Sequence, residues 1–273
     1  MSDPVRIAHR QIWRESGGFS AGDRAIPQET AIALSYDGGT YAVMMGTPTD
    51  LEDFAVGFSL SEGVVDSPAD ITSIDVVPLD DGIDVQMWLE TSRATRLGER
   101  RRHIAGPTGC GLCGIDSISE AMRPAAVVGR GLHVAPQQIM TAMQALPPLQ
   151  KLNIETRAVH AAAFWHPERG IVALREDVGR HNALDKLAGT LARQSMSAAD
   201  GVVLLTSRVS VEMVQKTAAM GASVIVSVSA PTALAVRMAD SANITLCAIA
   251  RADGFEVFSH SQRISAGASS DVA

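Results

Sequence analysis

Apolar and polar residues alternate through Ala31-Ile32-Ala33-Leu34-Ser35-Tyr36 and again through Tyr41-Ala42-Val43-Met44-Met45, with the turn Asp37-Gly38-Gly39 between them. This pattern predicts a β-hairpin. At residue 49 the period changes: Leu51, Phe54, Ala55 and Phe58 recur at helical spacing, and Thr49 with Glu52 three residues later reads as a capping box that starts a helix. Strands are expected at 74–78 and 83–89, which completes a small α+β unit. Residues 1 to about 24 show no sustained period and read as an extension or edge segment.

Beyond residue 126 the pattern is different. A short helix is expected at 137–146, with Pro136 suited to its first turn, then a buried strand at 171–174. A helix follows from about 177 to 194, with Leu184, Leu187, Ala188 and Leu191 on its apolar face. Strands at 202–205, 223–228 and 244–250 alternate with helices at 209–220 and 232–241, and 255–259 adds a hairpin partner across Asp253-Gly254. Such alternation predicts a mainly parallel sheet in a layered α/β domain. The chain thus divides into an N-terminal extension (1–24), a small α+β domain (25–104), a mobile loop (105–125), an α/β ligand-binding domain (126–263) and an Ala/Ser/Gly-rich tail (264–273) expected to be disordered.

Composition narrows the function. Of 273 residues, 46% are hydrophobic and 19% charged, which fits a globular chain with a substantial core. No run of about 18 uncharged apolar residues suggests a membrane span, and the N-terminus carries no apolar stretch resembling a signal peptide, so a cytoplasmic protein with reduced thiols is expected. A net charge of −7 opposes general nucleic-acid binding. It still allows a local basic pocket for one anionic ligand.

The chemistry concentrates at Cys110-Gly111-Leu112-Cys113, within a glycine-rich run from Gly106 to Gly114 that holds two of the three cysteines. Glycines on both sides leave the backbone free and the sulfurs uncovered. Three cysteines make no disulfide framework, and a zinc site lacks its second ligand pair, so no metal is expected. A thioredoxin-like dithiol would need a buried strand leading into the turn, whereas Glu99-Arg100-Arg101-Arg102-His103 precedes it. A loop thiolate that carries sulfur as a persulfide fits better. The basic run either favours that thiolate or is a solvated face. Zinc-dependent deamination is disfavoured, because His160-Ala161-Ala162 follows the cysteines and lacks the acid/base Glu.

Three loops at predicted strand ends could offer donors to a phosphate-bearing ligand: Ser207-Arg208, Ser227 to Pro231 with Ser229 near the next helix start, and Ala250 to Gly254 with Arg251. Glu176-Asp177-Val178-Gly179-Arg180-His181-Asn182 packs polar groups at a helix start. Capping accounts for Asp177, but Arg180 and His181 sit where the helix dipole disfavours cations, which suggests an anion or partner nearby. His160, alone in an apolar stretch, reads first as a core histidine; Cys247 reads as a small buried hydrophobe and Trp165 as packing.

The cysteine loop, the run 176–186, the segment Ser207-Arg208-Val209-Ser210-Val211-Glu212-Met213-Val214-Gln215-Lys216, and Val226 to Thr232 together resemble the formate dehydrogenase accessory sulfurtransferases, the FdhD family. Thr47-Pro48-Thr49-Asp50, Ser61-Glu62-Gly63 and His160-Ala161-Ala162 fit the same family in the same order. The resemblance implies a cytoplasmic homodimer that takes sulfur from a cysteine desulfurase onto Cys110 as a persulfide. It would pass the sulfur to the molybdenum cofactor, bis-molybdopterin guanine dinucleotide, for formate dehydrogenase, with Cys113 as the family's second cysteine. The alternative is a chaperone that only binds and delivers the cofactor. The resemblance also implies a C-terminal three-layer α/β/α domain similar to cytidine deaminase, beside the smaller N-terminal α+β domain. The cofactor site would map to Ile249, Ala250, Arg251, Ala252, Asp253 and Gly254, with Arg180, His181, Arg208, Ser229 and His160 contributing. One departure stands out: many family members have Thr-Gly-Gly where this chain has Thr156-Arg157-Ala158, which removes backbone freedom there.

Overall fold

The computed structural model describes residues 3–90 and 123–265. Strands β1 (Val5–Arg14) and β2 (Gly18–Pro27) form a two-stranded antiparallel ribbon where the sequence has no clear period. The predicted hairpin is β3 (Thr30–Tyr36) and β4 (Gly39–Gly46), followed by helix α1 (Leu51–Ser61) and strands β5 (Ile71–Leu79) and β6 (Gly82–Leu89). These four strands make one sheet in the order β4-β3-β6-β5. Alternation along β3 turns Ile32 and Leu34 inward with Val85 and Met87 of β6, and they pack on Phe54, Ala55 and Phe58 of α1.

Helix α1 does not begin as the capping box suggests. Its N-cap is Asp50, in the left-handed region at φ 52°, with no side-chain cap bond. Thr49 N–H instead donates to Thr47 O at 2.8 Å, which tightens the approach so that Asp50 O receives the first helical bond, from Phe54 N–H.

The second half contains α2 (Pro136–Ala145), α3 (Lys151–Thr156), β7 (His160–His166), β8 (Gly170–Asp177), α4 (Arg180–Arg193), β9 (Val202–Leu205), α5 (Val211–Ala219), β10 (Val224–Ser227), α6 (Ala233–Ser241), β11 (Thr245–Arg251) and β12 (Gly254–Ser259). The six strands form one sheet in the order β12-β11-β10-β9-β7-β8. Only β9, β10 and β11 run parallel; β7, β8 and β12 are antiparallel to their neighbours, so the sheet is mixed rather than mainly parallel. The helix–strand alternation is confined to those three strands, and tight turns close both sides of the sheet, which forces the antiparallel pairings. Alternate residues face opposite layers. Phe164, Val203, Leu205, Ile225 and Leu246 pack with α4, α5 and α6, while Ala163, Val202, Leu204, Val226 and Cys247 pack with α2.

Helix α4 holds the two halves together. Every residue from Asn182 to Leu191 is buried, so its apolar stripe faces the large sheet and its polar side lies against α1. A Cβ on Gly57 would lie 1.7 Å from Asp185 O, and one on Gly189 would lie 1.9 Å from Asp53 O. Two glycines therefore let the helix backbones touch. Around that contact Asp53 accepts from Arg175 Nη2 (2.7 Å), Arg193 Nη1 (2.6 Å) and Thr190 Oγ1 (2.9 Å). Burial alone would raise the Asp53 carboxyl, but these bonds outweigh it and hold it below its ordinary value. On the next turns Lys216 Nζ donates to both oxygens of Asp185 (2.9 and 3.0 Å). Burial would lower the Lys216 ammonium, but Asp185 and Glu62 overcome this and keep it charged.

Two substitutions with opposite signs test this account. Gly189→Ala drives a methyl group into the α1 backbone and is expected to destabilise by about 3 kcal/mol or more. Arg157 follows α3 in the left-handed region at φ 60°, ψ 29°, a conformation that glycine adopts without a Cβ penalty. Arg157→Gly should therefore stabilise by about 0.5–1 kcal/mol. Urea denaturation of both variants checks the pair.

Candidate functional site

The loops that leave one end of the large sheet form a continuous rim across five adjacent strands. Its members, in spatial order, are Asp177 to Arg180 after β8, His160 at the start of β7, Thr206 to Arg208 after β9, Ser227 to Ser229 after β10, and Ile249 to Arg251 at the end of β11. Hydrogen bonds stitch neighbouring loops together. Ala161 N–H donates to Thr206 Oγ1 (2.8 Å), Ser227 Oγ to Ser207 O, Ser229 N–H to Ser227 Oγ (3.1 Å), and Ile249 N–H to Ser229 O (3.2 Å). At strand spacing the rim extends on the order of 20 Å. That length suits an elongated ligand.

The motif from Asp177 to Lys186 divides into two sets of residues. Asp177 is fully buried and does not cap α4 by its side chain; the N-cap is Gly179. The Asp177 carboxylate instead forms an ion pair with Lys186 Nζ (2.6 Å) and accepts from Thr47 N–H (3.0 Å), Gly179 N–H (2.7 Å) and Asn182 Nδ2 (3.1 Å). Asn182 Nδ2 also donates to Met45 O, and Lys186 Nζ to Thr47 O, both at 2.9 Å. Asp177, Asn182 and Lys186 thus fasten the small sheet to the large one.

Arg180 and His181, between them, face the rim. His181 Nε2 lies 2.9 Å from Glu212 Oε2 at the start of α5, an ion-pair distance at which ring and carboxylate are not aligned for a hydrogen bond. Ser210 Oγ donates to the same Glu212 oxygen at 3.0 Å. Contact with His181, ahead of the opposing effect of burial, holds Glu212 below its ordinary value. Arg180 Nε is buried without a hydrogen-bond partner among the described residues. His160 is half-buried beside this pair; burial and then the Arg180 charge lower its pKa, which favours the neutral imidazole.

At the other end of the rim Ile249 has φ 54°, an uncommon conformation for a β-branched residue, within an irregular stretch of the β11–β12 pairing. Ala250 is buried against the α2 layer, so its side chain belongs to the core. Arg208, Arg251, Ala252 and Asp253 are exposed and Ser229 is half-buried. Asp253 and Gly254 line a cavity of about 540 Å³ with Gln137, Met140 and Phe255, on the α2 side of the turn. The expected residues therefore form two groups: His160, Arg180 and His181 at one end, and Ser229 with Ile249 to Gly254 at the other.

Ser229 is not the cap of α6. Thr232 is, its Oγ1 accepting from Ala235 N–H at 3.1 Å. Cys247 is fully buried and its thiol is pushed up to about 12 by desolvation, as befits a core residue. Sequence reasoning passed over Glu212, although Ser210 two residues earlier, at the start of a helix, was a local signal for it. Cys110 and Cys113 lie outside the described residues. The described chain resumes at Arg123, whose guanidinium donates to Ser61 O (2.9 Å) and whose carbonyl accepts from Gln215 Nε2 (2.8 Å). Gln215 is one helical turn from Glu212.

Two measurements test the local chemistry. Iodoacetamide at pH 8 should leave Cys247 unmodified in the native protein and label it after denaturation, as read by peptide mass spectrometry. Glu212→Gln should cost about 1 kcal/mol of stability near neutral pH. Folded Glu212 ionises below its ordinary value of 4.5, so on acidification the unfolded chain binds the proton first. The difference between the two proteins should therefore hold above pH 4.5 and shrink as pH falls through the lower folded value, a trend that denaturation at pH 6 and pH 3 would follow.

Comparison with known proteins fits this layout. Residues 27–265 match the family model of the FdhD/NarQ family. Two relatives bear the name sulfur carrier protein FdhD. The one from Agrobacterium fabrum is 50% identical over 266 residues, covering 95% of this chain and 97% of the relative. The one from Brucella abortus is 48% identical over 263 residues, covering 96% of each. The fold resembles a crystal structure described as that of a formate dehydrogenase accessory protein from Desulfotalea psychrophila, with TM-score 0.74, 23% identity, and coverage of 96% of this chain and 100% of that one. With the family model spanning the ribbon's end to the last described residue, and half the aligned residues shared with a relative covered over 97% of its length, this chain belongs to the FdhD/NarQ family.

Proposed function

We propose that this chain is a sulfurtransferase. Cys110 thiolate attacks the outer sulfur of the persulfide on a cysteine desulfurase; the S–S bond there breaks, the donor cysteine leaves as thiolate, and Cys110 becomes the persulfide. The substrate that receives this sulfur is bis-molybdopterin guanine dinucleotide, held along the rim before it enters formate dehydrogenase. Cys113 thiolate can attack the inner sulfur of the persulfide, which forms a Cys110–Cys113 disulfide and releases the outer sulfur as hydrosulfide; a cellular thiol reductant then restores both thiols. The chain works in the cytoplasm as a homodimer, and its larger domain corresponds to the cytidine-deaminase layout that the family resemblance implies.

The observation that carries this reading is the point where the chain after the cysteines rejoins the fold. Arg123 is bonded to Gln215, one turn along α5 from the Glu212–His181 pair at the rim. Nine residues lie between Cys113 and Arg123 in the sequence, so the described chain resumes close after the cysteines at the ligand-binding end of the sheet. The donor set suits an anionic, elongated substrate. Arg180 Nε is buried with no hydrogen-bond partner among the described residues, Arg208 and Arg251 are exposed at the rim, and backbone strain at Ile249 marks its far end. His160, kept neutral, can accept a hydrogen bond or a proton there.

Incubation with a cysteine desulfurase and cysteine should add one reductant-labile sulfur, localised to the Cys110 peptide by mass spectrometry and absent from Cys110→Ser. The same variant should lose formate dehydrogenase activation by at least 100-fold, whereas Arg180→Ala should load sulfur normally and still fail in activation. A Cys110→Ser/Cys113→Ser variant that supports full activation would instead identify a chaperone that only delivers the cofactor.

A further inference from the structure

The ribbon β1–β2 has no task in the site. It pairs over ten positions, from Val5–Pro27 to Arg14–Gly18, and joins neither sheet. Among the described residues its attachments are at the base, where Arg24 Nη2 donates to Thr156 O (3.2 Å) and Gln28 N–H to Pro4 O (2.8 Å). A lone two-stranded ribbon is marginally stable in water. This one also exposes large apolar side chains: Trp13 is 62% exposed, Phe19 74% and Ile7 64%.

Strand alternation gives the ribbon two unlike faces. Arg6, Arg10, Arg14 and Arg24 occupy one, with Ala8, Ile12 and Ile26 among them. The other carries Val5, Ile7, His9, Gln11 and Trp13 of β1 opposite Pro27, Ala25, Asp23, Ala21 and Phe19 of β2. Trp13 and Phe19 are a directly opposed pair at the tip, His9 and Asp23 pair at the midpoint, and Val5 and Pro27 are opposed at the base. The base opens onto a groove of about 600 Å³ along the edge strand β8, where Val5, Leu149, Leu152 and Ile171 give apolar surface and Lys151, Glu155, Arg175 and Glu176 give charge.

We propose that this face of the ribbon is an arm that grips a second copy of the chain. A two-fold axis across the ribbon at His9–Asp23 brings position 9+n of one copy over 9−n of the other, so Trp13 meets Val5 and Phe19 meets Pro27. Each aromatic tip then reaches the other copy's base and the groove beside it. About that midpoint the apolar ends of the face match each other, as an isologous contact requires. Two tips with two aromatics each, at ~150–250 Å² apiece, account for most of the ~1,000 Å² that a specific interface needs. On the other face Arg6, Arg10 and Arg14 stay in solvent and guard the exposed edges against open-ended pairing. The choice of a second copy as occupant rests on the homodimer reading above; the placement of the contact does not.

Light scattering after size exclusion, with the full chain at 1–50 μM, decides between the outcomes, with circular dichroism to confirm folding. The wild type is expected to be a dimer, and Trp13→Asp/Phe19→Asp should raise its dissociation constant at least 100-fold without loss of fold. In a Cys110→Ser/Cys113→Ser background, His9→Cys lies on the axis and should cross-link to its mate with a bismaleimide of about 10 Å, the spacing of stacked ribbons, whereas Arg10→Cys on the opposite face should not. A double variant that stays dimeric, or a missing cross-link at position 9, overturns the arm and leaves the homodimer intact. A wild type that is monomeric at 50 μM overturns both.

Discussion

The buried ion pair between Lys186 and Asp177 is the interaction on which the rest of the structure depends. Both side chains are fully buried, where an isolated charge would be too costly to keep. The cost is met because the carboxylate is saturated: Lys186, Thr47, Gly179 and Asn182 together supply about as many donors as its lone pairs can take. Two of those donors come from α4, one from the turn before it and one from the small sheet. The charges can therefore be satisfied only when both halves of the molecule are in place. Such a pair adds less to net stability than to uniqueness of arrangement, since removing one member leaves the other buried and unpaired.

The same pair fixes the geometry of the rim. Held from both sides, the turn from Asp177 to Gly179 delivers Arg180 and His181 to the start of α4, where the dipole would not choose cations. Glu212 from α5 lies against His181, and Arg180 keeps a buried nitrogen without a hydrogen-bond partner among the described residues. A rigid frame thus supports polar groups that are incompletely satisfied, an arrangement that suits recognition of an anion. At the far end Ile249 stores backbone strain that the surrounding sheet sustains.

Much of the fold was legible. The period-2 runs became β3 and β4, and Leu51, Phe54, Ala55 and Phe58 form the buried face of α1, because local alternation reports which side of an element meets the core. Three features were not legible. Strand β7 is apolar on both faces, since the sheet is covered on both, and so shows no alternation. The ribbon pairs with itself and has little own core to impose a pattern. Strand direction in the large sheet depended on turn closure that no single element encodes. Of the candidate site, His160, Arg180 and His181 came together as a cluster, whereas Glu212, distant in sequence, was found only when α5 docked beside α4.

The sequence by itself determined the family, the apolar stripes, the cysteine pair and the polar composition of the helix that begins at Arg180, because these are properties of residue type and spacing. Only the tertiary structure decided what those polar residues do. Asp185, Lys186, Gly189 and Thr190 read along the chain as a solvent face, yet all four are buried against α1. The physical reason is that charge and size are local, whereas burial is a property of the partner surface. A lysine has the same chemistry in water or in the core, and the carboxylate that makes the core tolerable to it is supplied from a different element of the fold.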